Sequence, residues 1–278
     1  MPLTTQQVEA YREQGFLAPI RVMPEAAAED YRRRFEAYER AHGGWYPLSK
    51  GQKLYLLQTW VAELARRPEI LDAVEAVLGP DIFCWGTSLF VKEARDPAFV
   101  SWHQDSTYWG LSRPDVVTAW IALSPATRQS GCMKMLPGSQ HLEQLPHTDT
   151  LAADNLLTRG QQVELEVDEN QGAYIELQPG EISLHNIRTV HASEPNRSAD
   201  RRIGVAVRYI APQVRQLHAG RDSAWLLRGE DRFGHFLHET PPQTDMGAQA
   251  LAEHARIMQL RQEILYTGVQ GQPAHREE

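Results

Sequence analysis

Cysteine is almost missing from this chain: Cys84 and Cys132 are the two in 278 residues. Their separation excludes the paired spacing that zinc knuckles and dithiol redox motifs need, and a reducing compartment fits. Long apolar runs are missing too. The longest strongly apolar segment, "VVTAWIAL", is far too short to cross a bilayer. The first residues, "MPLTTQQVEAYREQGF", have neither a basic start nor the continuous apolar stretch of a secretory signal. The chain therefore reads as cytoplasmic. Positive charge is in deficit, with 28 Lys and Arg against 36 Asp and Glu and a formal net charge of −8. That balance argues against nucleic acid or an anionic membrane as partner, since both reward clustered cations. Small molecules remain. No repeat and no low-complexity tract occurs, and 42% hydrophobic with 23% charged residues is an ordinary globular balance. The sequon "NRS" at Asn196 reads as a polar turn.

The length suits one domain near the upper size served by a single core. Residues 1–80 read as a helical layer around one short strand. Thr4 and Gln7 can form a capping box, and Pro24 opens a segment in which Tyr31, Phe35 and Tyr38 recur at helical spacing. Leu54, Leu57, Val61 and Leu64 repeat the pattern. Pro68 starts a further helix with Leu71, Val74 and Leu78 on one face, stopped at Gly79-Pro80. From Ile82 the period changes. Short β-branched and aromatic runs predict strands near 82–92, 99–104, 116–123, 131–136, 161–167, 173–178, 181–185, 188–193 and 202–210. Many strands without intervening helices exclude a doubly wound α/β fold and point to a sandwich or barrel. Residues 140–160 are polar and turn-rich, a length that suits a lid or binding loop. A last helix is predicted over 247–266, with Leu251, Ile257, Leu260 and Ile264 as an apolar stripe for a core or a subunit contact; the oligomeric state stays open.

Two His-x-Asp pairs occur. His147 and Asp149 lie in the polar loop with no apolar strand to hold them. His103 and Asp105, in "FVSWHQDSTYW", follow a strand-like run, so side chains two apart point to one face and can converge on an ion. A third ligand would come from His185 or His191. Two imidazoles and a carboxylate on one face of an octahedron leave adjacent open positions, which suits Fe(II) better than closed structural zinc.

"WHQDSTYW", "VTAWIALSPATRQSGCMKMLPGS" and "VHASEPNRSADRRIGVAVRY" together resemble the phytanoyl-CoA dioxygenase family of Fe(II)- and 2-oxoglutarate-dependent oxygenases, over about residues 5 to 215. The resemblance implies a mainly β fold with flanking helices, a distorted double-stranded β-helix of the jelly-roll or cupin kind. Within a single oxygenase domain spanning 1–278, it would divide the chain into the helical layer of 1–80, a β-helix core over 81–215 and a C-terminal extension over 216–278. It implies metal ligands at His103, Asp105 and His191, leaving His185 as a neighbouring strand histidine with a satisfied hydrogen bond. It places the cosubstrate's arginine at Arg202, with Ser193 and Trp120 beside it, and leaves Arg201 as a solvated neighbour. A guanidinium suits the remote carboxylate of 2-oxoglutarate because it gives two parallel charge-assisted hydrogen bonds that Lys cannot copy. One departure is "PGSQH", which displaces a histidine to His141. Relatives that halogenate lack the carboxylate ligand; with Asp105 present, hydroxylation is the expectation.

The resulting expectation is an Fe(II)- and 2-oxoglutarate-dependent dioxygenase using O2. It would hydroxylate an unactivated C–H bond of a small polar metabolite or natural-product intermediate and release succinate and CO2. Gln104, Tyr108, Trp109, Asn186 and Arg188 adjoin the ligand positions and are the candidate substrate contacts. Lys92, ending "SLFVK", reads equally well as a surface charge. The rival readings are a non-catalytic metal- or ligand-binding β-barrel, and a zinc or manganese hydrolase or isomerase, neither of which requires the arginine.

Overall fold

The computed structural model describes residues 2–44, 52–150, 154–157, 160–218 and 220–266. Its N-terminal layer contains α1 (Thr5–Gln14), β1 (Phe16–Arg21), α2 (Glu25–His42), α3 (Thr59–Ala65) and α4 (Pro68–Leu78). The capping box forms: Thr4 Oγ1 accepts the Gln7 N–H at 3.2 Å and Gln7 Oε1 accepts the Thr4 N–H at 2.9 Å. The segment from Leu54 to Leu64 is not one helix. A 3-10 turn over Leu54–Leu56 precedes α3, whose start is capped from afar by Asp245 Oδ1, accepting the Thr59 N–H at 2.6 Å. Sequence periodicity has no view of a cap so distant.

The β elements are β2 (Ile82–Lys92), β3 (Val100–His103), β4 (Val116–Ala122), β5 (Met133–Met135), β6 (His147–Asp149), β7 (Gln161–Val163), β8 (Ala173–Ile175), β9 (Glu181–Asn186), β10 (His191–Ser193), β11 (Arg202–Ile210), β12 (Ser223–Arg228) and β13 (Leu237–His238). Seven strands pair in the order β1-β9-β4-β11-β2-β12-β13, four as β3-β10-β5-β8, and β6 with β7. The two larger sheets form a jelly roll, with Trp120, Ala122 and Ala206 of one packed on Met133, Met135 and Ile175 of the other. The strands do not close into a barrel. β2 and β11 keep their expected limits. Beyond expectation, β12 pairs with β2, so the major sheet takes strands from the 216–278 extension. The polar 140–160 segment contributes β6, paired with β7, while residues 151–153, 158 and 159 lie outside the described residues.

Alternation along β11 divides the interior. Ile203, Val205, Val207 and Tyr209 join the large core beneath the helices, with Phe35, Trp60 and Val74. The even positions, Arg202, Gly204, Ala206 and Arg208, take the opposite face, between the sheets. A buried ion pair ties the helical layer to the C-terminal strands: Lys53 Nζ donates to Glu239 Oε1 at 2.7 Å and to the Ser223 carbonyl at 2.6 Å. The C-terminal helix, α5 (Ala248–Tyr266), buries Ile257 fully, but Leu251 is 43% exposed, so the expected stripe does not pack as a unit; the side chain of Ile264 is outside the described residues. No helix among the described residues is long and apolar enough to cross a membrane.

Candidate metal centre

β3 and β10 run antiparallel with His103 opposite His191. The register shifts between His191 and Ser193, a bulge of the sort that re-aims side chains beside functional sites. The two imidazoles lie with ring centroids 4.1 Å apart. Asp105 joins them differently from the sequence expectation. β3 ends at His103, and a 3-10 turn over Asp105–Tyr108, not strand alternation, swings the carboxylate back. One ligand atom from each of His103, Asp105 and His191 lies within 4.8 Å of the others, the one such cluster of His, Cys, Asp and Glu found among the described residues.

The histidines are oriented for coordination. His103 Nδ1 lies 2.9 Å from the Ser101 carbonyl and 3.1 Å from that of His191. His191 Nδ1 lies 2.9 Å from the Thr189 carbonyl. A carbonyl only accepts, so each Nδ1 carries the proton and each Nε2 turns its lone pair to the centre. Burial, reinforced by the neighbouring His103, pushes His191 well below the usual histidine range, which keeps it in the neutral, ligating form. Asp105 answers oppositely. Burial would raise its carboxyl, but its interactions with the Arg208 guanidinium and with the His103 and His191 rings hold it far below the carboxylate range.

Arg202 and Lys92 face each other across the β11–β2 pair. Arg202 is 2% exposed and Lys92 fully buried, so Lys92 is not the surface charge that its position allowed. Arg202 Nη1 donates to the Gly131 carbonyl at 2.8 Å, its guanidinium carbon lies 5.3 Å from the Trp120 ring centroid, and its Nε has no acceptor. Lys92 Nζ donates to Ser193 Oγ at 2.8 Å and to the Glu194 carbonyl. Burial first, and Arg202 second, push Lys92 down to about 6; burial lowers Arg202 to about 10. Among the described residues neither cation has a carboxylate ion-pair partner. Charging both groups in so buried a place is costly without an anion, which is why Lys92 is pushed down, and an anionic ligand between them would offset that cost. Ser193 stands two residues from His191 on β10, about 7 Å along the strand, a span comparable to a five-carbon dicarboxylate. Gly204 makes room for Trp120: a Cβ there would lie 1.9 Å from Trp120 Cζ2. Gly204→Ala is therefore expected to destabilise the fold by ~1–3 kcal/mol. Thermal denaturation should show a fall in Tm of several degrees.

Other expected residues fall in place or are corrected. His185 is at the rim, its Nε2 3.9 Å from Asp105 Oδ2, but its Nδ1 has no partner, so the expected satisfied hydrogen bond is absent. Thr118 Oγ1 and Ser183 Oγ, on the same interior face, are also unpaired. Arg201 is not simply solvated. It bridges Glu39 and Glu93 and lies 5.7 Å over Phe35, latching β11 to α2. Gln104 is buried, its amide donating to the Arg188 carbonyl at 2.9 Å and accepting from the Leu145 N–H at 2.9 Å, so it braces the loop and is not free for a substrate. Asn186 accepts the Arg188 N–H at 2.9 Å, shaping the turn before β10, and the Arg188 side chain makes no ion pair among the described residues. Trp109 lies under the Arg208 guanidinium, 5.1 Å from ring centroid to the guanidinium carbon; the side chain of Tyr108 is outside the described residues. The second His-x-Asp pair binds the loop, His147 Nε2 accepting the Gln104 N–H at 3.0 Å. Asn196 is a buried turn brace whose amide donates to the Glu93 and Asp200 carbonyls.

An open jelly roll with two histidines and an aspartate converging between its sheets is the architecture of mononuclear non-haem metal enzymes of the double-stranded β-helix class. The sequence profile of the phytanoyl-CoA dioxygenase (PhyH) family matches residues 11–204. The chain belongs to that family. It superposes on the apo structure of the non-heme monooxygenase ThoJ with a TM-score of 0.83 and 32% identity, covering 93% of this chain and 97% of that one. Over 84 residues it is 33% identical to L-proline trans-4-hydroxylase of Streptomyces griseoviridis, 29% of this chain and 31% of that protein. Over 172 residues it is 29% identical to peroxisomal phytanoyl-CoA dioxygenase of Homo sapiens, 52% and 50% of the two. The chain thus spans less than two thirds of the length of the curated relatives it matches.

Proposed function

We propose that the protein is an Fe(II)- and 2-oxoglutarate-dependent dioxygenase that hydroxylates an unactivated C–H bond of a small polar metabolite or natural-product intermediate, releasing succinate and CO2. The observation that carries this reading is the pairing of a His103–Asp105–His191 face with a buried arginine and a buried lysine, neither with a carboxylate partner among the described residues, one strand repeat away. His103, Asp105 and His191 would hold the ferrous ion; Arg202, Lys92 and Ser193 would take the remote carboxylate of 2-oxoglutarate, with Trp120 against the Arg202 guanidinium. When bound, iron and cosubstrate supply the oxidising chemistry, dividing the two atoms of dioxygen between substrate and succinate. The chain's own part is placement and the exclusion of water. His103 and His191 hold their Nδ1 protons on carbonyls, Asp105 stays ionised, and the buried walls keep solvent from the centre. The whole chain is read as one oxygenase unit in three parts (1–80, 81–215 and 216–278), cytoplasmic, with no nucleic-acid or membrane partner. A zinc or manganese hydrolase has no use for the paired cations, and no observation favours it.

The test is succinate release from purified protein given Fe(II), 2-oxoglutarate, O2 and candidate compounds. A true substrate should stimulate succinate formation in step with its own hydroxylated product; hydrolysis or isomerisation of a compound without succinate would contradict the proposal.

A pH dependence follows from Lys92. An anion beside it favours the ammonium form, so its pKa rises on binding 2-oxoglutarate. Below about pH 6 Lys92 is already charged and no proton is taken up. Above that, binding must draw in a proton, so affinity falls with rising pH by up to about tenfold per unit until the bound-state pKa is passed. Titrations of 2-oxoglutarate from about pH 6 to about pH 8 should show this slope, and Lys92→Met should abolish it.

A further inference from the structure

At the other end of the inward face of β11 stands a second unpaired cation. Arg208 lies six residues beyond Arg202, about 20 Å along the strand, opposite Thr118 on β4 and Gly86 on β2. Its Nη1 donates to Ser88 Oγ at 2.9 Å, and its Nε is sealed from solvent without an acceptor. Arg208, Thr118 and His185 stand in one row across β11, β4 and β9, and His185 Nε2 is 3.9 Å from Asp105 Oδ2, so the row leads to the metal-binding face. Arg261, from α5, is 7% exposed and meets it over Gly86: a Cβ on that glycine would lie 3.8 Å from both Arg208 Cδ and Arg261 Nη1.

Among the described residues neither guanidinium is ion-paired. The nearby carboxylates are committed. Asp222 accepts the Trp85 indole N–H at 2.7 Å and the Ser223 N–H at 2.7 Å, Glu239 is held by Lys53 and Tyr55, and Asp105 belongs to the metal face. Each guanidinium has an indole over one side, Trp109 at 5.1 Å from Arg208 and Trp85 at 4.6 Å from Arg261, and the two indoles stand 5.0 Å apart. Arg208 Nη1 is taken by Ser88 and Arg261 Nη1 donates to the Trp85 carbonyl at 3.4 Å, which leaves the other N–H groups along the guanidinium edges as the available donors. Edge-on donors match a planar oxyanion, and the indoles offer an apolar wall to the body attached to it.

We propose that Arg208 and Arg261 clamp a carboxylate on the primary substrate, whose apolar body rests on Trp109 and Trp85. This rests on the oxygenase reading only in calling the bound molecule the substrate. The clamp sits two strands from His185, which borders Asp105, at the opposite end of β11 from Arg202, so the cosubstrate and substrate carboxylates have separate seats. It narrows the substrate class to carboxylic acids.

The test is a calorimetric titration of anaerobic protein, supplied with Fe(II) and 2-oxoglutarate, with acetate, benzoate, benzamide and inorganic phosphate. Benzoate should bind at least about tenfold more tightly than benzamide, phosphate should not displace it, and Arg208→Gln and Arg261→Gln should each weaken benzoate by about tenfold or more. Benzoate should raise the Tm of the wild type and not of Arg261→Gln, which keeps the test decisive if Arg208→Gln folds poorly. Equal binding of benzoate and benzamide, displacement by phosphate, or arginine-independent binding would overturn the clamp. Metal content and the 2-oxoglutarate absorption band are read in the same samples. An intact band without arginine-dependent benzoate binding removes the clamp alone. Arginine-dependent benzoate binding without the band removes the oxygenase reading and leaves the carboxylate site.

Discussion

Asp105→Ala is expected to abolish turnover and to weaken Fe(II) binding by more than ~100-fold, since loss of an outer-shell partner alone costs 10–100-fold. Asp105 is the one anionic member of the cluster. It is held ionised against its own burial by the nearby Arg208 guanidinium and by its interactions with the two histidine rings. Its removal would leave the Arg208 guanidinium without a facing anion, a field that repels a divalent cation. The fold should survive, because β3, β10 and their register do not depend on the carboxylate. Metal content after dialysis, read beside far-ultraviolet circular dichroism, checks both halves. Retention of stoichiometric iron by Asp105→Ala would remove this residue from the ligand set.

Arg202→Ala is expected to raise the KM for 2-oxoglutarate by ~30-fold to several thousand-fold, the equivalent of ~2–5 kcal/mol for truncating one member of a buried charge pair. Iron affinity should not change, because Arg202 touches Gly131 and Trp120 and not the ligand cluster. Some binding should persist. With the neighbouring guanidinium gone, Lys92 loses a charge that holds it down, becomes easier to protonate, and still reaches Ser193. Arg202→Lys should resemble the alanine variant more than the wild type, since an ammonium offers no planar fork. Steady-state kinetics at varied 2-oxoglutarate, with metal content as control, distinguishes this cosubstrate effect from a general loss of structure.

Much of the architecture was legible because period and punctuation agree. "RIGVAVRYI" alternates cleanly, and β11 has the expected limits; Pro68 and Gly79 bracket α4 as capping rules require. β12 was missed because "SAWLLR" neither alternates nor is rich in β-branched residues, and it becomes a strand by pairing with β2 and β13. His103 and Asp105 were visible as a pair, although a 3-10 turn brings them together. Spacing left His185 and His191 open and the resemblance pointed to His191; the physical reason is tertiary, since His191 faces His103 across β3 and β10, whereas His185 sits on the other sheet. The burial of Lys92 was hidden, since a lysine ending an apolar strand looks like any solvated charge until its partner strand carries Arg202 opposite. Arg208 was readable in principle. It shares parity with Arg202 in a strand whose odd positions are all core, and an inward arginine on such a strand signals a polar interior.

If His103, Asp105 and His191 hold one ferrous ion while Arg202 and Lys92 hold 2-oxoglutarate beside it, iron and cosubstrate must bind as one chelate. The most direct measurement is an anaerobic titration of Fe(II)-loaded protein with 2-oxoglutarate, followed by the weak visible charge-transfer band of the chelate. The band should saturate at one cosubstrate per chain, vanish in His191→Ala for want of iron, and in Arg202→Ala reappear only at much higher 2-oxoglutarate. A wild-type protein that binds iron yet develops no band at saturating 2-oxoglutarate, or a band indifferent to both substitutions, would contradict the account.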